Sequence, residues 1–359
     1  MSNRSETADS QNRSQVESLP ARAVIRRRLI LKSGGEVMKF KSLIAASAMA
    51  LLTSGFATAS AETIVNIGHG VQTGHPTHIG LLKLAEIVNE RSAGEITIKI
   101  YPDRQLGEER EMVEGLQLGS VEMTVVSTGP LVNFLPEIGV LDLPFLFENS
   151  AHAYKVFDGE VGQNLLKKFD GVDMVGLAVW ENGWRHLSAK KAVNAPADLA
   201  GLKLRTMQNP VHIRAFEALG ASPVPMAWGE VFTSLGQGVI DGQENPITIF
   251  YTNSLSEVQS DITLTGHVYG PHVFLASKSV WESWPEEVRS AILEALPEVT
   301  AFQRAESARL ETEQKEKLKE QGVTITEVDT APFREIAQGI YSDFDFDPAQ
   351  IEAIRSVAD

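Results

Sequence analysis

Apolar residues recur along this chain first with the period of a strand, then with that of a helix, and the alternation repeats. Thr63-Ile64-Val65-Asn66-Ile67-Gly68 alternates as a half-buried strand does and ends at a glycine-rich turn. Residues 76–91 place Ile79, Leu82, Leu84, Ile87 and Val88 at helical spacing, behind a proline that suits a first helical turn. Residues 96–101 predict a second strand, closed by Pro102. Residues 108–118 predict a short helix whose first-turn acids complement the helix dipole. Residues 123–127 are a third strand. Strand, helix, strand, helix, strand predicts a parallel sheet with helices on its faces.

The pattern continues less regularly. Residues 151–169 predict a helix and 174–180 a strand that leads into Glu181-Asn182-Gly183-Trp184-Arg185. A second lobe is expected from there, with strands at 202–206 and 222–226, and 268–276 as the strand that returns to the first lobe. Residues 286–321 read as one charged helix with a bend at Pro297, about 50 Å long at 1.5 Å per residue and able to lie across both lobes. Its heptad pattern is too poor for a coiled coil. Residues 323–359 predict a strand and two short helices. The expected fold class is therefore α/β: a two-lobed, hinged clamshell of mixed, mostly parallel sheets with helices on both faces. Lobe I takes residues 62–182, completed by about 271–297; lobe II takes 183–270, completed by about 310–359. A ligand belongs in the cleft where loops from both sheets meet.

The front of the chain has a different composition. Met38-Lys39-Phe40-Lys41, an apolar run from Ser42 to Phe56 and Ala59-Ser60-Ala61 form the three-part layout of a secretory signal peptide. The apolar run falls short of the roughly 20 residues a membrane span needs. Export to the periplasm with cleavage after Ala61 is expected. Residues 1–37 are polar and aperiodic, and we read Met38 as the true start; the rival reading is a twin-arginine signal around Arg27-Arg28. The chain has 32 basic and 47 acidic residues. Removing residues 1–61 takes away 9 basic and 4 acidic ones and leaves 23 against 43, a net charge near −20. Such a surface excludes nucleic acid and anionic membranes as partners. With no cysteine there is no disulfide, thiolate metal site or thiol nucleophile.

Against that acidic field, local arginines matter. Arg205 ends the strand Leu202-Lys203-Leu204-Arg205, where a guanidinium could grip a carboxylate through two parallel hydrogen bonds. Pro223-Val224-Pro225-Met226-Ala227-Trp228-Gly229-Glu230-Val231 reads as strand, aromatic residue, then helix start. In Asp241-Gly242-Gln243-Glu244-Asn245-Pro246, Asn245 sits as an N-cap before a helix-starting proline and could also aim its amide at a ligand. Taken alone, Arg205 is equally consistent with a surface arginine, and Arg185 with a salt bridge between lobes.

In order and at compatible spacing, these segments resemble the extracytoplasmic solute receptors of tripartite ATP-independent periplasmic (TRAP) transporters, over residues 63–297. Gln105-Leu106-Gly107-Glu108-Glu109-Arg110 and Asn182-Gly183-Trp184-Arg185-His186 support the same resemblance. It implies that Arg205 holds a ligand carboxylate, that Arg185 also touches the ligand, that Asn245 orients it and that Trp228 walls the pocket. It implies a permease of a small and a large membrane subunit driven by an ion gradient. We expect a monomeric receptor, not an enzyme, for a small organic acid. Sugar acids such as uronates or aldonates come first and C4-dicarboxylates close behind. The rivals are a binding protein of an ATP-driven importer and a periplasmic enzyme processing sugar acids.

Further ligand candidates are polar residues expected near the cleft: His69, His267, Ser127, Thr128 and Gln208, all suited to ligand hydroxyls, and Glu109 from its matching segment. On spacing alone Glu108 and Glu109 are solvated acids at a helix start, since adjacent helical residues point in different directions. His75 and His78 lack a nearby carboxylate to complete a metal site, and no cofactor is expected. Neither a Gly-x-Ser-x-Gly elbow nor a His-Glu-x-x-His pair is present.

Overall fold

A computed structural model describes residues 62–357. The expected signal peptide at 38–61, its cleavage site and the segment 1–37 lie outside the described residues. The first five elements follow the hydrophobic rhythm: β1 (Thr63–His69), α1 (Pro76–Arg91), β2 (Ile96–Tyr101), α2 (Glu109–Leu118) and β3 (Met123–Ser127). Then come β4 (Met174–Ala189), β5 (Lys203–Thr206), β6 (Ser222–Pro225), β7 (Gly242–Asn245), β8 (Asp261–Ser277) and β9 (Thr324–Glu327).

All nine strands join one sheet, in the order β2-β1-β3-β8-β4-β7-β5-β6, with β9 on β8. Parallel pairs form each end, β2-β1-β3 and β7-β5-β6. The middle is antiparallel, where β8 pairs with β3 and β4, and β4 with β7. Two lobes therefore share one sheet, because β4 (16 residues) and β8 (17 residues) run through both. The sequence pattern had stopped the first at Trp180 and started the second at Val268. Glycines and polar residues interrupt the alternation of both strands, and their pairing slips at Glu181/Gly183 and Arg185/Leu187. Gly183, with φ 125°, takes the backbone geometry that the first slip demands and that an L side chain rarely adopts.

Residues 150–168 form two helices rather than one, Ser150–Asp158 and Glu160–Lys168, broken at Gly159. The helix Glu286–Glu320 is a single element of 35 residues with Pro297 inside it. Its first half buries Val288, Ile292, Leu296 and Val299 against the β1–β3 end, together with Leu81 and Leu84 of α1. Its last turns bury Leu318 with Val231, Leu235 and Ile240 at the other end. Each such side chain contributes about 1.5–3 kcal/mol, so the helix ties both ends of the sheet together. Between the two, Gln303 clasps the Glu181 backbone at 3.0 and 2.6 Å. Arg304 reaches Asp158 at 2.7 and 2.9 Å and the Val179 carbonyl at 3.0 Å. The tail supplies β9 and the helices Ala331–Gln338 and Pro348–Ser356, as the pattern predicts.

Candidate functional site

Open α/β sheets gather ligands beyond the carboxyl ends of their parallel strands, where loops from neighbouring strands converge. Here that rule brings Gly70 after β1, Ser127 at the end of β3, Met207 after β5, Trp228 after β6 and Asn245 at the end of β7 to one cavity. Its empty volume is about 410 Å³, open solvent included. Arg104, Glu108 and Glu109 wall it from the start of α2, and Asn182 and His272 from the shared strands β4 and β8.

Arg205 lies almost fully buried in this wall. Its Nε and Nη2 donate to the Met226 carbonyl at 3.2 and 2.8 Å, and its guanidinium carbon lies 5.4 Å from the Trp228 ring centre. Backbone and indole thus fix the plane by one edge. The other edge, Nη1 with the second Nη2 hydrogen, has no partner among the described residues, and it has the geometry that a carboxylate accepts bidentately. Burial lowers the arginine to about 10, with Arg185 adding to the fall and Glu244, Glu109 and Glu108 opposing it. It stays charged at neutral pH.

Arg185 does not join it in the wall. Its Nε and Nη2 donate to the two Glu244 carboxylate oxygens at 2.5 and 2.8 Å, and Nη2 also to the Glu244 carbonyl at 2.6 Å. Both side chains are buried. Burial pushes Glu244 up, but Arg185, His212 and His267 override it and hold the carboxyl well below the usual range. Arg185 forms a buried salt bridge instead, but within the 183–270 stretch expected as lobe II and not between lobes. His267 sits in the same cluster, 3.1 Å from Glu244 through Nε2 and 2.7 Å from Thr265 through Nδ1, behind the cavity wall.

The remaining candidates divide in the same way. Asn245 lines the cavity, but as the last residue of β7 and not as an N-cap; the cap position of the helix Ile247–Thr252 is Pro246. The Asn245 amide donates to Gln243 Oε1 at 2.7 Å, which leaves its own Oδ1 as an acceptor. Trp228 is half-buried in the wall and donates to Asn253 at 3.3 Å. Ser127 gives both its N–H and its hydroxyl to Glu109 Oε1, at 2.8 and 2.9 Å. Glu109 is therefore no solvated acid: it is held inside the cavity. Gln208 is exposed and lines an adjoining recess with Glu108, Arg205 and Trp228. Thr128 points away, to Asp142 at 2.6 Å. His69 is packed behind β1, 3.0 Å from His78, and burial first, then His78 and His75, push it down to about 3.

Three polar wall residues, Arg104, Asn182 and His272, were not singled out from sequence. Asn182 neighbours the motif arginine, and the slip at Gly183 turns it inward. The Thr77 N–H donates to His75 Nδ1, which places the imidazole proton on Nε2, 3.2 Å from Asn182 Oδ1. Burial keeps that histidine neutral, near 3. With its oxygen engaged, Asn182 presents its Nδ2 hydrogens to the cavity. His272 is held by Thr77 Oγ1 at 2.9 Å. Nothing local marks it, since strand pairing with Ser127 and Trp180 brings it to the site.

The cavity thus offers a fixed guanidinium edge, an amide donor, an amide acceptor, a carboxylate and an aromatic wall. The arrangement suits capture of a small polar anion. Comparison with known proteins agrees. A family model described as "Bacterial extracellular solute-binding protein, family 7" matches residues 67–347. A solute-binding protein of Verminephrobacter eiseniae is 41% identical over 306 residues, 84% of this chain and 91% of that one. The crystal structure of a TRAP periplasmic solute-binding protein from Polaromonas, bound to D-erythronate, superposes with a TM-score of 0.80 at 39% identity, covering 83% of this chain and all of that one. Another, from Sulfurospirillum deleyianum with bound succinate, gives 0.79 at 33% identity, covering 83% and 99%.

Proposed function

The chain belongs to family 7 of the bacterial extracellular solute-binding proteins, and from that premise we propose that it captures a small organic acid in the Arg205 cavity and delivers it to a membrane permease. Members of the family are periplasmic receptors that work with TRAP permease subunits. For this chain we infer export to the periplasm, action as a monomer, and docking on the small and large subunits of such a permease. The observation that carries the ligand assignment is the guanidinium of Arg205, fixed along one edge by Met226 and free along the other inside a walled cavity. A lysine in its place would offer a point charge without that planar pair of donors.

Roles follow for the neighbours. Arg205 holds the carboxylate, Asn182 and Asn245 orient the adjoining atoms, Trp228 covers one face, and Ser127 positions Glu109. Arg185 acts at one remove, by neutralising Glu244 beside the site. Calorimetric titration against a panel of aldonates, uronates and C4-dicarboxylates tests this reading, with mass analysis of the ligand afterwards. Saturable binding and unchanged ligand are expected. Chemical conversion would make the chain an enzyme, and failure of every carboxylate would remove the organic-acid assignment.

A further inference from the structure

Arg205 and Glu109 line one cavity, yet no ion pair joins them: the guanidinium bonds to Met226 and the carboxylate to Ser127. Glu108 adds a second carboxylate to the same wall, already matched by Arg104 at 3.4 Å. Glu109 has no such match on its second oxygen. Ser127 uses Oε1 alone, and Oε2 has no hydrogen-bond partner among the described residues. A ligand that fills this cavity displaces water from Oε2, and a carboxylate oxygen left there without a donor is costly, so the ligand must bring a donor to it. We propose that Glu109 makes the site selective for hydroxylated monocarboxylates and excludes dicarboxylates, with the ligand carboxylate on Arg205 and a hydroxyl on Glu109 Oε2.

The argument rests on the organic-acid reading above and narrows it. A second ligand carboxylate would meet Glu109 and Glu108 as like charges in a partly desolvated space, a juxtaposition that costs several kcal/mol. An ammonium group would bring donors only. A hydroxyl both donates and accepts, so it can give its proton to Glu109 Oε2 and receive one from an Asn182 Nδ2 hydrogen. Burial pushes Glu109 up, while the two Ser127 donors and Arg205 pull it back. Glu108 is likewise raised by burial and opposed by Arg104, Gly229 and Arg205. His272, on the far wall, is held well below its ordinary value by burial and by His75 and His69, so it adds no positive charge there. Of the solved relatives, the one with D-erythronate carries a ligand of the proposed class, and the one with succinate marks the class to be excluded.

Two matched ligand pairs test it by calorimetry: D-erythronate against meso-tartrate, and galactonate against galactarate, the members of each pair differing at one end by CH2OH versus carboxylate. The hydroxylated monocarboxylate of a pair should bind at least about 100-fold tighter than its dicarboxylate. Glu109→Gln should shrink that ratio to about tenfold or less, while Glu108→Gln should leave most of it in place. Thermal melting establishes that each variant is folded. Should Glu109→Gln fail to fold, Glu109→Ala takes its place with the same expectation. Equal binding of both members of a pair overturns this inference alone, as does an unchanged ratio in Glu109→Gln. Binding of no member of either pair overturns the inference together with the organic-acid reading beneath it.

Discussion

Gly229, in the short helical turn Trp228–Glu230, lies against the carboxylate of Glu108 at the start of α2, so close that a Cβ there would collide with Glu108 Oε1. Glu108 belongs to the β1–β3 end of the sheet and Gly229 to the β5–β7 end, so this contact crosses the cavity mouth. Asn133 Nδ2 bonding to the Gln208 carbonyl at 3.1 Å, and Met207 packed on Gly129, are further contacts near it. Together these contacts join the two ends of the sheet beside the cavity.

Gly229→Ala should therefore shift the protein towards an open form without touching the ligand itself. Because affinity falls in proportion to the closed fraction, binding should weaken about five- to twentyfold. Small-angle scattering of the variant with ligand should show a larger radius of gyration than wild type at equal, subsaturating ligand. Identical affinity and identical profiles would remove the latch from the mechanism.

Arg205→Ala should weaken binding by roughly 30-fold to several thousand-fold, the 2–5 kcal/mol range for truncating one partner of a buried charged pair. Arg205→Lys should lose most of that affinity although the charge is kept, since the Met226 contact uses the guanidinium edge. Titration of both variants with the tightest wild-type ligand is the measurement. Affinity within threefold of wild type in Arg205→Ala would take the residue out of the site.

Glu244→Ala should act on stability first. It leaves Arg185 buried and uncompensated, which typically costs about 3–5 kcal/mol. Denaturant titration should show a lower midpoint with an unchanged slope. A variant as stable as wild type would mean that water or a rearranged carboxylate reaches Arg185.

Acid should destabilise the protein well above the carboxylate range. Burial first, with neighbouring cations and histidines, pushes His69, His75 and His186 down to about 3 each. Unfolded, they take up protons below about 6.5, so between pH 6.5 and 3 the unfolded state binds more protons and stability falls as the pH falls. By linkage this amounts to about 2 kcal/mol per histidine at pH 5. His212 works the other way: burial opposes its charge, but Asp142 and Glu244 raise it overall, so its contribution is present at low pH and fades as the pH rises through its folded value. Glu244, held low, contributes above its unfolded value near 4.5 and loses that contribution only in stronger acid. Burial also lowers His78, His267 and His272. Glu181 is raised by burial to about 7 and gains stability as the pH falls towards its unfolded value. Six lowered histidines outweigh His212 and Glu181, and the net expectation is a lower denaturation midpoint at pH 5 than at pH 7.5. Equal midpoints would mean that these imidazoles are reached by water.

What the sequence determined by itself was whatever a local period or a local motif encodes. The strands and helices from Thr63 to Ser127 follow directly from apolar spacing, as does the long helix Glu286–Glu320. Arg205 at a strand end and Trp228 before a helical turn were legible because neighbouring residues alone place them. Only the tertiary structure decided the division of labour between the two arginines. Arg185 and Glu244 lie 59 positions apart and meet because β4 runs on past Gly183 and pairs antiparallel with β7, setting Leu187 opposite Glu244 and His186 opposite Asn245. That pairing makes Arg185 a buried partner and leaves Arg205 as the arginine of the cavity wall. It also converts Asn245 from a helix cap into a strand residue facing the cavity. Side-chain periodicity fixes which way a residue points along its own strand, but the register between distant strands fixes what it meets, and the register depends on the packing of the whole sheet.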